Sequence, residues 1–219
     1  MALTTTGDQP AAGVLREVRR APAALLGREE YGREFQAAYQ NASGVVWKLE
    51  RAQEFHEPYE PSWVAMAEGD WERSLRLIDE RRGSLAAEYA GYAEFRRVRI
   101  VAEPLTPYLQ WELHVLAARV AAGERARVLP ATAIGPLEEA GPLPELLVFA
   151  SPLMYEVRYD RRGAHLGGRR ITDPGTVAGC RAALAALYAQ GEDLAAYVRR
   201  AVEPLPPPAV RAAAGRRPA

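Results

Sequence analysis

Apolar residues recur along this chain with two different spacings, and each change of spacing marks a predicted change of element. Near the start, Val14, Leu15 and Val18 fall at helical spacing with Arg16, Arg19 and Arg20 clustered on the other side, until Pro22 interrupts. Tyr31, Phe35 and Tyr39 then recur every four residues and "NASG" supplies a stop, which predicts a second helix. From Val45 the period drops to two: Val45, Trp47 and Leu49 alternate with Val46, Lys48 and Glu50, the pattern of a half-buried strand. The proline-bearing "FHEPYEPSW" reads as an extended connector. Helical character returns from Trp63, with Gly69, Gly83 and Gly91 breaking it into pieces. Trp71, Leu75 and Ile78 make one apolar stripe there, and Leu85, Tyr89 and Tyr92 another.

The clearest strand is "FRRVRIVAE", and a helix follows it with Thr106 at the N-cap and Pro107 at the first helical position, running to about Ala122 and ending at Gly123. "ARVLPA" reads as a short strand and "TAIGPLEEAGPLP" as a loop or single turn. "ELLVFASPLMYEVRYDRRGAHLGGRRI" reads as three strands, broken at Ser151-Pro152 and joined by a hairpin around Arg161-Arg162-Gly163. "DPGTVAGCRAALAALYAQG" carries Val177, Cys180, Leu184 and Leu187 on one helical stripe, and "DLAAYVRRAV" closes the fold.

Helices first, a strand and helix in the middle, and adjacent strands before a last helix point to an α+β fold. The expected form is a mainly antiparallel sheet with helices packed on one face and a helical N-terminal region. Residues 1–13 read as a disordered lead, residues 14–202 as a single domain whose part 14–44 is helical, and residues 203–219 as a disordered Pro/Ala/Arg tail.

Composition narrows the classes. The 219 residues are 48% hydrophobic and 26% charged, enough for one ordinary core, and 28 basic residues balance 28 acidic ones. A net charge of zero gives no global pull toward nucleic acid, and no helix-turn-helix pattern is present, so direct DNA binding is not expected. Lys48 is the single lysine, which leaves arginine, with its planar fork suited to carboxylate and phosphate, as nearly all the positive charge. The single cysteine, Cys180, sits on an apolar stripe and excludes an intrachain disulfide. "MALTTTGDQPAAG" lacks the basic flank and apolar core of a signal peptide, and no apolar run approaches membrane-spanning length, so a cytoplasmic protein is expected.

The candidate chemistry lies in "FRRVRIVAEPLTPYLQWELH". Strand alternation puts Phe95, Arg97, Arg99, Val101 and Glu103 on one side. On the helix, Leu109, Leu113, Leu116 and Val120 make the buried stripe, and Tyr108, Trp111, Glu112 and Val115 flank it. Two readings are open. Arg97 and Arg99 could clamp a phosphate or carboxylate near the helix N-terminus, with Tyr108 or Trp111 stacking on a ring and Glu103 or Glu112 as general base. Alternatively, Arg97 and Arg99 pair with Glu103 and Glu112 and the junction needs no ligand. His56, His114 and His165 lie far apart without ligand spacing, so no metal is expected, and no motif calls for a cofactor.

These residues also carry a resemblance. "VWKLERAQEFHEPYE", "FRRVRIVAEPLTPYLQWEL", "VAAGERARVLP", "DPGTVAGCRAA" and "DLAAYV" together resemble the actinobacterial family called domain of unknown function 6879, over about Phe35 to Arg200. The family pattern falls here on Arg97, Arg99, Glu103, Pro104, Leu105, Tyr108 and Glu112. Gln110 departs from its usual arginine, and "ELLVFA" places Leu147 and Ala150 where members usually carry tryptophan and aspartate. The resemblance implies an intracellular protein encoded beside helix-turn-helix regulators, with no established catalytic set. The expectation is therefore a regulatory or interaction protein working with a DNA-binding regulator, with a small anionic ligand at the strand–helix junction. The alternative is a hydrolase or transferase acting on a phosphorylated or nucleotide substrate, in secondary metabolism for example.

Overall fold

The computed structural model describes residues 8–89 and 93–210. In chain order its elements are α1 (Asp8–Glu17), β1 (Ala24–Gly27), α2 (Arg28–Gln40), β2 (Val45–Glu50), α3 (Pro61–Ala67), α4 (Trp71–Glu80), α5 (Arg82–Tyr89), β3 (Glu94–Val101), α6 (Pro107–Ala121), β4 (Arg125–Pro130), β5 (Glu145–Val148), β6 (Met154–Tyr159), β7 (His165–Ile171), α7 (Pro174–Gln190), β8 (Glu192–Asp193) and α8 (Leu194–Ala201). One sheet takes all the strands, in the order β1-β7-β6-β5-β2-β3-β4-β8. The fold is α+β and most strand pairs are antiparallel, but β2, β3 and β4 at its centre run parallel, joined by crossovers through α3–α5 and through α6.

Local chemistry sets these boundaries. Thr106 Oγ1 accepts from the Leu109 N–H at 3.1 Å and Pro107 opens α6, while Asp173 Oδ2 accepts from the Thr176 N–H at 2.7 Å at the head of α7. In the β6–β7 turn, Asp160 Oδ1 accepts from the N–H groups of Arg162 (2.8 Å) and Ala164 (2.9 Å). Gly163 there has φ +80, and a Cβ on it would lie 2.9 Å from the Phe55 Cα, so both the turn and the seating of the connector require glycine.

Helices cover both faces of the sheet, not one. On one face Trp47, Leu49, Val98, Ile100, Leu146 and Met154 pack against α1 and α7 through Leu15, Val18, Val177, Cys180 and Leu184. On the other, Val46, Phe95, Leu147 and Tyr155 lie under α2, and Val101, Ala126 and Val128 lie under α6 and α8. Helices α3, α4 and α5 form an outer layer on α6, where Met66, Ile78 and Leu85 meet Tyr108, Trp111 and Ala118. The period of two in β2 and β3 pointed to an open outer face because that face holds Lys48, Glu50, Arg97 and Arg99, and these charges are buried against one another instead of against water.

Other expectations shift at the ends of the chain. Helix α1 reaches back to Asp8, into the segment read as a lead, and Val14 packs so closely on α7 that a Cβ on Gly179 would lie 2.9 Å from the Val14 Cγ2. The region read as wholly helical contains β1, an edge strand paired with β7; with four residues and only Leu26 buried, it is too short to show a period. Residues 203–210, expected to be disordered, include two that dock on the domain: Gln110 Nε2 donates to the Pro206 carbonyl at 2.8 Å, and Val210 packs against the apolar cluster that holds Tyr108 and Trp111 of α6. The helical break comes at Arg81 and not at Gly83, which is inside α5; Gly91 and Tyr92 lie outside the described residues.

Candidate functional site

Strand β3 projects Arg97 and Arg99 toward α6, and both are almost fully buried, at 3% and 0% exposure. Arg97 donates through Nε to Glu124 Oε1, through Nη1 to Glu50 Oε2, and through Nη2 to Glu124 Oε2 at 3.1 Å. Arg99 donates through Nε to Glu112 Oε2 at 2.7 Å and through Nη1 to the carbonyls of Glu50 (3.3 Å) and Ile100 (3.1 Å). Its Nη2 also lies 2.7 Å from the same Glu112 oxygen but is not aligned to donate a hydrogen bond. Parallel pairing explains the meeting of residues so far apart in sequence: Lys48 stands beside Arg97 and Glu50 beside Arg99 across the β2–β3 ladder, and Glu124 enters from the turn after α6.

The row continues at both ends. Lys48 Nζ lies 2.5 Å from Glu50 Oε1, and the Tyr89 hydroxyl donates to Glu124 Oε2 at 2.5 Å. The Tyr108 hydroxyl lies 2.9 Å from Glu57 Oε1 and 3.3 Å from Glu112 Oε1. A hydroxyl carries one hydrogen, so the second of those contacts is satisfied only when one carboxyl is protonated.

Electrostatics separate these carboxyls. Burial works against charge on Glu50, yet the surrounding Arg97, Lys48 and Arg99 outweigh it and hold its carboxyl well below the usual range. Glu124 is likewise held low against burial, by Arg97 first. Burial wins at Glu112, whose carboxyl is raised although Arg99 opposes it, and at Glu57, where the Tyr108 hydrogen bond opposes it. Glu145, at the head of β5, is pushed up to about 7 by burial and by the negative charge of Glu50, against hydrogen bonds from the backbone N–H groups of Ala52 and Arg51.

The structure thus brings Arg97, Arg99, Tyr108 and Glu112 into one network and leaves the other two candidates out of it. Glu103 follows the end of β3 at Val101, so strand alternation no longer directs it; it is exposed and accepts from the Tyr197 hydroxyl at 3.0 Å. Trp111 is 1% exposed, packs in the core beneath α3–α5, and donates from Nε1 to Ser62 Oγ at 3.2 Å, so it offers no open ring. Both arginines of the expected anion clamp already end on carboxylates of the chain. Sequence reasoning missed Glu50, Glu57, Glu124 and Arg119, for which no local spacing gives a signal.

Next to this network lies a cavity of about 430 Å³. Tyr31, Phe35 and Tyr39 of α2 form one wall and Tyr89 of α5 another, with Phe95 and Leu147 from the sheet. Three cations line it: Lys48, Arg97 and Arg119. Lys48 and Arg97 share Glu50 and Arg97 also takes Glu124, whereas Arg119 interacts with the Tyr89 hydroxyl and has no carboxylate in ion-pair contact among the described residues.

A family model matches residues 33–199, most of the chain. The protein belongs to the family described as Domain of unknown function (DUF6879). No curated protein matches it. Of the positions singled out in the sequence, Gln110 anchors the C-terminal segment, and Leu147 lines the aromatic cavity. Ala150 is not among the lining residues; its carbonyl accepts from Arg181 Nη1 at 2.7 Å. Among the described residues, no helix is long and apolar enough to cross a membrane.

Proposed function

We propose that this DUF6879 protein is a ligand-responsive interaction module, in which a small anion with a flat aromatic body occupies the cavity bounded by α2, α5 and α6. The observation that carries the reading is the state of the charges there: Lys48 and Arg97 are held by Glu50 and Glu124 behind the wall, Glu88 of the lining is exposed and takes Arg81 at 3.2 Å, and Arg119 is left without an ion-pair partner among the described residues, beside the rings of Tyr31, Phe35, Tyr39, Tyr89 and Phe95. A bound anion supplies the missing charge at Arg119, and the rings of Tyr31, Phe35 and Tyr89 supply stacking and apolar contact. The loaded domain then acts on a helix-turn-helix regulator, the partner that the family resemblance implies. The zero net charge fits a protein that leaves DNA contact to that partner. The enzymatic reading has less support, because Glu112 is spent on Arg99 and Glu103 stands apart from the cavity.

Thermal melts of the purified protein with benzoate, adenosine monophosphate and inorganic phosphate test this directly. An aromatic anion is expected to raise the melting temperature by several degrees through mass action, inorganic phosphate by less, and Arg119→Met is expected to erase the shift without unfolding the domain. Equal shifts in wild type and Arg119→Met, or no shift with any of the three, overturn the proposal.

A further inference from the structure

A second cavity, of about 300 Å³, is lined by Arg28, Phe55, Glu57, Tyr59 and Tyr159 with their neighbours. Two of its charges are unmatched among the described residues. Glu57 accepts from the Tyr108 hydroxyl but, unlike Glu50, Glu112 and Glu124, has no cation in ion-pair contact among the described residues. Glu60, the other carboxylate of the lining, is already matched: its Oε2 takes Arg81 Nη1 at 2.9 Å. Arg28 is exposed and lays its guanidinium over the Tyr59 ring, 4.6 Å from the centroid; among the described residues its nitrogens make neither hydrogen bond nor ion pair. One unpaired anion and one unpaired cation therefore share a cavity without meeting.

We propose that this cavity binds a small zwitterion, an amino acid being the simplest, with its ammonium against Glu57 and its carboxylate against Arg28. A carboxylate drawn out of water without a counter-ion is costly, and a ligand ammonium removes that cost. The same ligand's carboxylate finds in Arg28 a planar donor fork that no other described residue occupies. Phe55 and Tyr159, with ring centroids 4.4 Å apart, line the same cavity and present apolar surface for the body of the ligand. The wall is held in place before anything binds: the His56 N–H donates to the Gly163 carbonyl at 3.0 Å, and Phe55 packs edge-on against Tyr108, centroids 5.7 Å apart. The site shares no lining residue with the aromatic anion cavity and stands without it.

Calorimetric titration of the full chain with L-phenylalanine, L-phenylalaninamide and N-acetyl-L-phenylalanine tests the proposal, and glycine, β-alanine and 4-aminobutyrate then read the separation of the two charges. The amino acid is expected to bind, and each capped analogue, having lost one charge, to bind about tenfold more weakly or worse. Glu57→Gln keeps an acceptor for Tyr108, and Arg28→Met alters an exposed side chain; both are expected to fold and melt like wild type while losing about tenfold or more in affinity. Equal binding of the amide reassigns the cavity to simple cations, and equal binding of the N-acetyl form to simple anions; either overturns the proposal. So does the absence of binding by every zwitterion at millimolar concentration. Benzoate binding in the first cavity is expected to be unchanged in both variants, which separates failure here from failure there.

Discussion

The two faces of the central strands solve the same burial problem with different chemistry. Toward α7, Val98 and Ile100 of β3 meet Leu49, Leu146 and Leu184, apolar side chains that need no partner. Toward α6, the neighbouring residues Arg97 and Arg99 are just as deeply buried and are made tolerable only by Glu50, Glu112 and Glu124. Apolar packing is forgiving, since a lost methylene costs in proportion to its size, whereas a buried ion pair fails as a unit when either member goes. One strand therefore carries a face that tolerates substitution and a face that does not.

The sharpest break in this comparison is Arg99→Ala, which strands the Glu112 carboxylate. A loss of about 3–5 kcal/mol is expected in urea unfolding, smaller at pH 5 than at pH 8, because Glu112, already raised, is raised further without Arg99 and protonates readily in the folded protein. A joint replacement, Arg99→Met with Glu112→Leu, is expected to recover most of the loss. If it recovers nothing, the pair does more than neutralise itself. Next comes Glu145→Gln. With a folded value of about 7 against an ordinary value of 4.5, wild type holds an extra proton when folded, so it loses stability as pH rises from about 4.5 to 7, by as much as about 3 kcal/mol. Denaturation curves of Glu145→Gln across that window should lack this slope. The smallest effect is Ile100→Val on the apolar face, expected to cost about 1 kcal/mol and to cost the same at pH 5 and pH 8.

The same contrast governs what could be read without coordinates. Helix α6, with its Thr106 cap and its Leu109, Leu113 and Leu116 stripe, and helix α7, with Val177, Cys180 and Leu184, stand where the spacing predicted, because their signals are local. So do β2, β3 and the β6–β7 hairpin. Arg99 and Glu112 were legible as a pair, being 13 residues apart on a strand and the helix that follows it. Glu50 and Glu124 were not: their meeting at Arg97 depends on parallel register between β2 and β3 and on where α6 ends, neither of which a period reveals. Short β1 escaped for lack of length, and the coverage of both faces escaped because charged residues normally mark the wet side of a strand.

Strand β1 also sets a schedule for assembly. It precedes every other described strand, yet its partner is β7, with Leu26 opposite Gly168, so everything between the two must be made before that pairing exists. The β6–β7 hairpin, closed by a turn of five residues, needs no such wait, and loop closure favours it as an early event. During elongation on the ribosome, β1 has no strand to join until β7 has been made.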